Sequence, residues 1–240
     1  MKLVKFFAIL FFDLIDEHFH KKRILSFLIK INLKVNILVD IGSHKGTYTD
    51  LISKNFDTNR VFMFEPQKDI YKIIKKKYKK NKTIKIFNHA VSNKNTMQKI
   101  YINRHDLTSS LVKLDQTNKH LGHKSKLFGV KNVKNMIKDT YSVKTVKLKN
   151  IIQKESIEKI CLLKIDTEGH EMEVLHGLDT FINKVKCIMI EFHSDNIYLN
   201  YKPKKIHDYL IKHNFKLVKT YKFPFSEWED RFYLNKKNLS

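Results

Sequence analysis

Residues 162 to 177 read LLKIDTEGHEMEVLHG, and positions 166 to 171 of that stretch hold three carboxylates and an imidazole: Asp166, Glu168, His170 and Glu171. A turn from strand to helix needs one capping side chain and at most a glycine. Titratable groups in this excess, directly after a run of aliphatics, point to proton-transfer or cation chemistry. For His170 and Glu171 a simpler assignment suffices, an exposed imidazole in the first helical turn and an acid favoured by the helix dipole. Asp166 and Glu168 are the pair expected to carry chemistry.

Three further polar clusters close apolar runs. Asp40 is followed by GSHKG, Glu65 stands before Pro66, and Glu191 and His193 end KCIMIEFH. Gly42 and Gly46 would let a ligand approach the backbone, and Glu65 could accept hydrogen bonds from a ribose diol. A dinucleotide fits that description too. Its fingerprint, however, needs a middle glycine where the pyrophosphate meets the helix N-terminus, and here that position is His44. S-adenosylmethionine has ribose and adenine but no pyrophosphate, and its ammonium could be held by Asp40. The pattern favours it over a nicotinamide dinucleotide.

These clusters need elements that bring them together. NILVDI (36 to 41), RVFMFE (60 to 65), TIKIFN (83 to 88), ICLLKI (160 to 165) and KCIMIEF (186 to 192) read as strands. Segments of helical period alternate with them, for example one beginning near Thr47 and one with Ile70, Ile73, Ile74 and Tyr78 on a single stripe. Such alternation predicts an α/β fold, a mostly parallel sheet with helices on both faces. KLVKTYKF and RFYLN, after the helix that follows Pro203, predict an antiparallel edge hairpin. In an open sheet of this kind ligands bind beyond the carboxyl ends of the central strands, where all four clusters fall. Residues 103 to 142 are polar, basic and weakly periodic, and read as an irregular insertion shaping the acceptor side. Within it, Ser109 and Ser110 are candidates for the acceptor pocket. His120 and His123 have helical spacing but no companion ligands for zinc.

At 240 residues, with 42% hydrophobic residues, 6 Gly and 3 Pro, the chain suits one main domain, residues 36–240, preceded by an N-terminal helical extension, residues 1–35. The net charge of +23 would ordinarily argue for nucleic acid or an anionic membrane. Only four of the 47 cationic residues are Arg, however, and dispersed Lys lacks the bidentate, stacking guanidinium of nucleic-acid readers. Nucleic acid is therefore the secondary class of partner. Cys161 and Cys187 open apolar runs, as small hydrophobes do in a reducing compartment, so a cytoplasmic setting is expected. The apolar stretch near the N-terminus, broken by Lys5 and Asp13, is too short for a transmembrane helix and lacks a signal-peptide cleavage site. An amphipathic helix packed on the domain is the expectation, and peripheral membrane contact through residues 1–15 is the alternative.

In that order, LVDIGSHKGTYT, FMFEP, NHAVSNKN, SSL and above all LLKIDTEGHEMEVLHG resemble the FkbM family of S-adenosylmethionine-dependent methyltransferases, over roughly residues 36 to 236. The resemblance implies a Rossmann-like class I methyltransferase fold with a seven-stranded sheet. It also implies S-adenosyl-L-methionine as cofactor and methyl transfer, commonly to an oxygen of a sugar or other small natural product. Matched by position, Asp40, Gly42, Ser43, His44 and Gly46 form the cofactor loop, and Glu65 with Pro66 lies at the ribose. His89, Ala90 and Val91 match the turn near adenine, while Asp166, Glu168 and Gly169 match the signature beside the transferred methyl. His44 stands where the family commonly has a small polar residue. Lys149 replaces an acid of an LD pair before strand four.

The methyl of a sulfonium is already activated, so the protein must align an acceptor oxygen and remove its proton. Asp166 is expected beside the cofactor's methionine portion, and Glu168 or His193 as the base. No metal is assigned. Glu168, Glu191 and His193 would be the ligand set if a divalent ion were used. A small-molecule or carbohydrate O-methyltransferase leads, ahead of an RNA methyltransferase using the Lys-rich surface and a non-catalytic, membrane-associated binding protein. Trp228 reads as packing rather than as a sugar-stacking platform.

Overall fold

The computed structural model describes residues 15–104, 108–118, 121, 136–194, 197–224 and 227–238. After a π-helical turn, Asp16–His20, come α1 (Lys21–Lys30), β1 (Ile37–Ile41), α2 (Thr47–Asn55), β2 (Arg60–Phe64), α3 (Lys68–Lys77) and β3 (Ile84–Phe87). Short β4 (Ala90–Val91) leads to β5 (Thr96–Asn103), β6 (Ile137–Val146), α4 (Leu148–Lys154), β7 (Ile160–Ile165) and α5 (Glu171–Leu178). The chain continues through β8 (Val185–His193), α6 (Pro203–Lys212), β9 (Phe215–Lys222) and β10 (Trp228–Asn235).

The seven-stranded sheet has the order β3-β2-β1-β7-β8-β10-β9. Pairs from β3 to β8 are parallel, and β10 runs antiparallel to both β8 and β9, giving the expected hairpin. The chain winds outward from β1 toward β3 and then returns to place β7 on the other side of β1. The adjoining ends of β1 and β7 are therefore the switch point, where the flanking helices separate and leave a crevice.

All six residues of β7 are buried, which explains its unbroken aliphatic character: both of its faces are covered. One cluster joins Val39, Ile41, Leu163, Ile165 and Ile190 to α4, α5 and α6. The other joins Leu38, Met63, Leu162, Cys187 and Met189 to α1, α2 and α3. Both cysteines are buried and free. From α1, Ile24, Phe27 and Leu28 belong to this second cluster, with the Phe27 ring edge-on to Phe232 at 5.0 Å. Each such buried side chain stabilises by about 2 kcal/mol. Of the stripe expected on α3, Ile70 and Ile74 are buried but Ile73 is 50% exposed.

Residues 103 to 142 are not irregular throughout. β6 occupies their end and pairs antiparallel with β5, from Thr96 opposite Thr145 to Asn103 opposite Ile137. With β4 they form a separate sheet of order β4-β6-β5. Its core is small, Ala90, Ile100 and Val143, while Lys144 faces solvent. A sheet with one buried face carries polar residues at every second position, and that average polarity hid the strands. His120 and His123 lie outside the described residues, as does the stretch 1–14. Among the described residues no helix is long and apolar enough to cross a membrane.

Candidate active site

A cleft, open on one side, lies at the switch point, where an open α/β sheet places its ligands. Its walls come from the ends of three adjacent strands: Gly42 and His44 after β1, Glu65 and Pro66 after β2, and Asp166, Thr167 and Glu168 after β7. His89, Ala90 and Val91 close one side, and Ser109 and Ser110 another. Ala90 and Val91 are not a turn but β4, paired in parallel with Thr145 and Val146.

Glu65 is 2% exposed, and its two oxygens each receive a backbone N–H, Oε2 from His44 at 2.9 Å and Oε1 from Gln67 at 2.7 Å. Burial pushes its carboxyl up to about 7, against the lowering effect of those two amides. Each carboxylate oxygen retains a lone pair for a ligand. The His44 amide reaches Glu65 because His44 takes φ 43, a left-handed conformation unusual for a residue with a side chain. Gly42, at φ 75, is required by its neighbour as well: a Cβ there would stand 1.7 Å from the carbonyl oxygen of Asp166.

Asp40, Ser43 and Gly46 are not among the residues lining the cleft. Strand alternation turns Asp40 to the opposite face of the sheet, where it is 1% exposed and Oδ2 accepts the Thr49 hydroxyl at 2.8 Å. Burial raises its pKa, and the neighbouring Lys164 opposes that rise. Lys164, directly opposite Asp40 in the β1–β7 register, places Nζ 3.7 Å from Asp40 Oδ1 and 3.0 Å from Asp166 Oδ2. Burial disfavours its charge, but Asp166 and Asp40 together hold the ammonium above its ordinary range. Asp40 thus anchors α2 and helps fix Lys164, which in turn orients Asp166 at the cleft wall.

Glu168 sits at φ 57 after β7, a strained value for a residue with a side chain. Its Oε2 accepts the Tyr198 hydroxyl and lies 3.4 Å from Nε2 of His193. The same Nε2 is 3.1 Å from Oε1 of Glu191. Burial raises Glu168 to about 8; Glu191 and Asp166 add to the rise, while His193 and the Tyr198 hydrogen bond oppose it. The backbone of this loop is clamped twice. Ser110 Oγ donates to the Glu168 carbonyl at 2.6 Å, and Glu171 Oε1 accepts the Thr167 amide, the Thr167 hydroxyl and the Gly169 amide.

Glu171 is accordingly not a solvated helix-dipole acid. It is fully buried, with its pKa raised by desolvation, because its carboxylate is the internal partner for amides that the turn leaves free. His170 is not exposed either; it is 7% exposed, lines the cleft and places Nε2 3.0 Å from Ser92 Oγ. Desolvation lowers it to about 4, so the ring is neutral. Trp228 packs as expected, stacked on Phe223 at 4.4 Å. Lys149, on α4, pairs with Asp179 at 2.7 Å. Sequence reasoning missed Lys164 and Tyr198. The first had a signal, as the lone charge in ICLLKI, whereas nothing local marks Tyr198.

The family model for the methyltransferase FkbM domain matches residues 40–217. Among solved structures, methyltransferase FkbM from Methylobacillus flagellatus KT is similar with TM-score 0.54 and 14% identity, over 83% of this chain and 43% of that one. M. capricolum TrmK, solved with S-adenosylhomocysteine, is similar with TM-score 0.50 and 11% identity, over 91% of this chain and 68% of that one. Hexuronic acid methyltransferase AglP of Haloferax volcanii is 30% identical over 53 residues, 22% of each chain. This chain therefore matches less than half the length of AglP and of the M. flagellatus protein. The likeness to these two structures is one of fold, and this chain's seven-stranded, mostly parallel sheet with a C-terminal antiparallel hairpin is the class I methyltransferase fold. The chain belongs to the methyltransferase FkbM domain family.

Proposed function

We propose that this chain is an S-adenosylmethionine-dependent O-methyltransferase whose acceptor is a hydroxyl of a sugar. The observation that carries the reading is Glu65, a buried carboxylate on the cleft wall at the switch point, braced by two amides and with lone pairs left for a ribose diol. His89, Ala90 and Val91 supply the flanking wall for the adenine. When bound, S-adenosylmethionine supplies a methyl group whose bond to sulfur breaks, with the electron pair left on sulfur, as the acceptor oxygen bonds to carbon. Asp166, held by Lys164, would hold the methionine portion. Glu168 receives the acceptor proton. A base with a pKa of about 8 is well matched to work near neutral pH, and His193 and Tyr198 hold its carboxylate in place. The local likeness to a hexuronic acid methyltransferase supports a sugar acceptor.

Calorimetry with S-adenosylhomocysteine tests the cofactor assignment. Clear binding is expected, weakened more than about tenfold by Glu65→Ala, since a charge-assisted hydrogen bond is worth about 1.5 kcal/mol or more. Unchanged affinity in the variant would remove the ribose role. The acceptor class is tested by methyl transfer to a panel of uronic acids and neutral sugars, and transfer to none of them would sink that half of the reading.

A further inference from the structure

We propose that Glu168, Glu191 and His193 bind a divalent metal cation of the Mn2+ or Zn2+ type at the edge of the cleft. Their nearest ligand atoms, two carboxylate oxygens and Nε2, lie within 4.8 Å of one another. Nε2 stands 3.1 Å from the Glu191 oxygen and 3.4 Å from the Glu168 oxygen. With metal bonds of about 2.1 Å, adjacent ligands lie about 3.0 Å apart in octahedral and about 3.4 Å in tetrahedral coordination, so both separations of the imidazole from a carboxylate oxygen match those of adjacent ligands.

An independent observation comes from His193. The residue is 4% exposed, and its Nε2 forms no aligned hydrogen bond, although two carboxylate oxygens lie within 3.4 Å of it. A buried imidazole nitrogen ordinarily finds a partner. Here a cation between the three groups would be that partner. The ligands are held in advance, as metal sites require. Tyr198 donates to the Glu168 carboxylate, the His193 amide donates to the Tyr201 hydroxyl at 3.2 Å, and the His193 ring is edged by Tyr198 at 5.1 Å and Tyr201 at 6.0 Å. Charge favours occupancy as well. Asp230 faces Glu191 in register, and Lys164 is engaged by Asp166 and Asp40. Two carboxylates and one imidazole suit a cation of intermediate softness.

Three protein ligands leave coordination positions open. Glu168 lines the cleft, so an open position there can take an acceptor oxygen; this part rests on the proposed methyl transfer. A cation on Oε2 leaves the second oxygen of Glu168 to receive the acceptor proton, and binding the hydroxyl lowers its pKa.

The test uses the full chain, freed of metal by dialysis against a chelator and titrated with Mn2+, the free ion being followed by electron paramagnetic resonance. One equivalent is expected to bind, with an affinity weakened about thirtyfold by Glu191→Gln and by His193→Gln, each checked for folding by its thermal transition. Electron spin echo spectra of the loaded wild-type protein are expected to show one imidazole nitrogen, a readout that needs no variant. Zn2+ is expected to displace Mn2+. Absence of stoichiometric binding up to about 1 mM, or binding without imidazole coupling, overturns the site. Calorimetry with S-adenosylhomocysteine on the same sample separates the two ideas. Cofactor binding without cation binding removes the metal site alone, and cation binding without cofactor binding removes the methyltransferase reading while leaving the metal site standing.

Discussion

The amide of His44 donates to Oε2 of Glu65 at 2.9 Å and so ties the loop after β1 to the end of β2 across the mouth of the cleft. A residue at positive φ in one loop therefore sets the position of a carboxylate in another. That link makes Glu65 sensitive to protonation. The ribose hydroxyls would donate to the ionised form, so affinity for S-adenosylhomocysteine is expected to rise with pH through about 7, and to lose that dependence in Glu65→Gln. Calorimetry between pH 5.5 and about 8.5 checks it.

The same shift acts on stability in the absence of ligand. The folded pKa of Glu65, about 7, lies above the ordinary 4.5, so between those values the folded protein holds the extra proton. Its contribution is fully present below pH 4.5 and is lost as pH rises through about 7, a change on the order of 3 kcal/mol. Glu65→Gln is expected to flatten the fall in stability over that window, as measured by urea unfolding at a series of pH values.

Tyr198 donates a hydrogen bond to the carboxylate of Glu168 and so favours its charged form. If Glu168 receives the acceptor proton, metal-free activity must rise with pH through about 8. Tyr198→Phe should move that rise to higher pH and lower the rate at neutral pH about tenfold, with the affinity for S-adenosylhomocysteine unchanged. A pH–rate profile in which the variant and wild type coincide would argue against Glu168 as the base.

Gly42→Ala carries two penalties at one position, φ 75 and a Cβ 1.7 Å from a backbone oxygen of Asp166. Backbone cannot move aside as a side-chain tip can. A loss of about 3 kcal/mol or more is expected, together with displacement of Asp166 from the cleft wall. Chemical denaturation reads the first effect and cofactor calorimetry the second.

His20 is fully buried and Nε2 lies 2.7 Å from Oδ2 of Asp230, which also accepts the Tyr48 hydroxyl at 3.2 Å. The contact joins the segment before α1 to β10 and α2. His20→Ala leaves a buried acid short of a partner and is expected to cost about 3 kcal/mol, or roughly 6 to 12 °C in thermal midpoint. A shift within experimental error would show that Tyr48 alone satisfies Asp230.

Strands with two covered faces were legible as sequence. ICLLKI and KCIMIEF contain little but aliphatics because each is packed between layers of helix, and β7 begins and ends where that run does. The alternating strands β5 and β6 were not legible, since the core beneath them is small, with Ala90, Ile100 and Val143 at its centre. The acids closing β1, β2, β7 and β8 were recognisable because carboxylates after apolar runs need a reason. Their facing was not. Asp40 and Glu65 look equivalent in the sequence, yet one is turned to α2 and the other to the cleft.

Composition and spacing thus established an α/β sheet, the ends of the strands as the place for chemistry, and the residue types gathered there, because hydrophobic period and local chain direction are properties of neighbours in sequence. Which groups touch is a matter of distant segments meeting. Lys164 finds Asp40 across 124 positions of chain, Ser110 finds the Glu168 carbonyl across 58, and Tyr198 finds its carboxylate across 30. No local pattern encodes those encounters. They follow from the register of β1 on β7 and the return of the chain over the end of the sheet, and it is that packing which makes His170 and Glu171 interior residues and brings His193 to two acids at once.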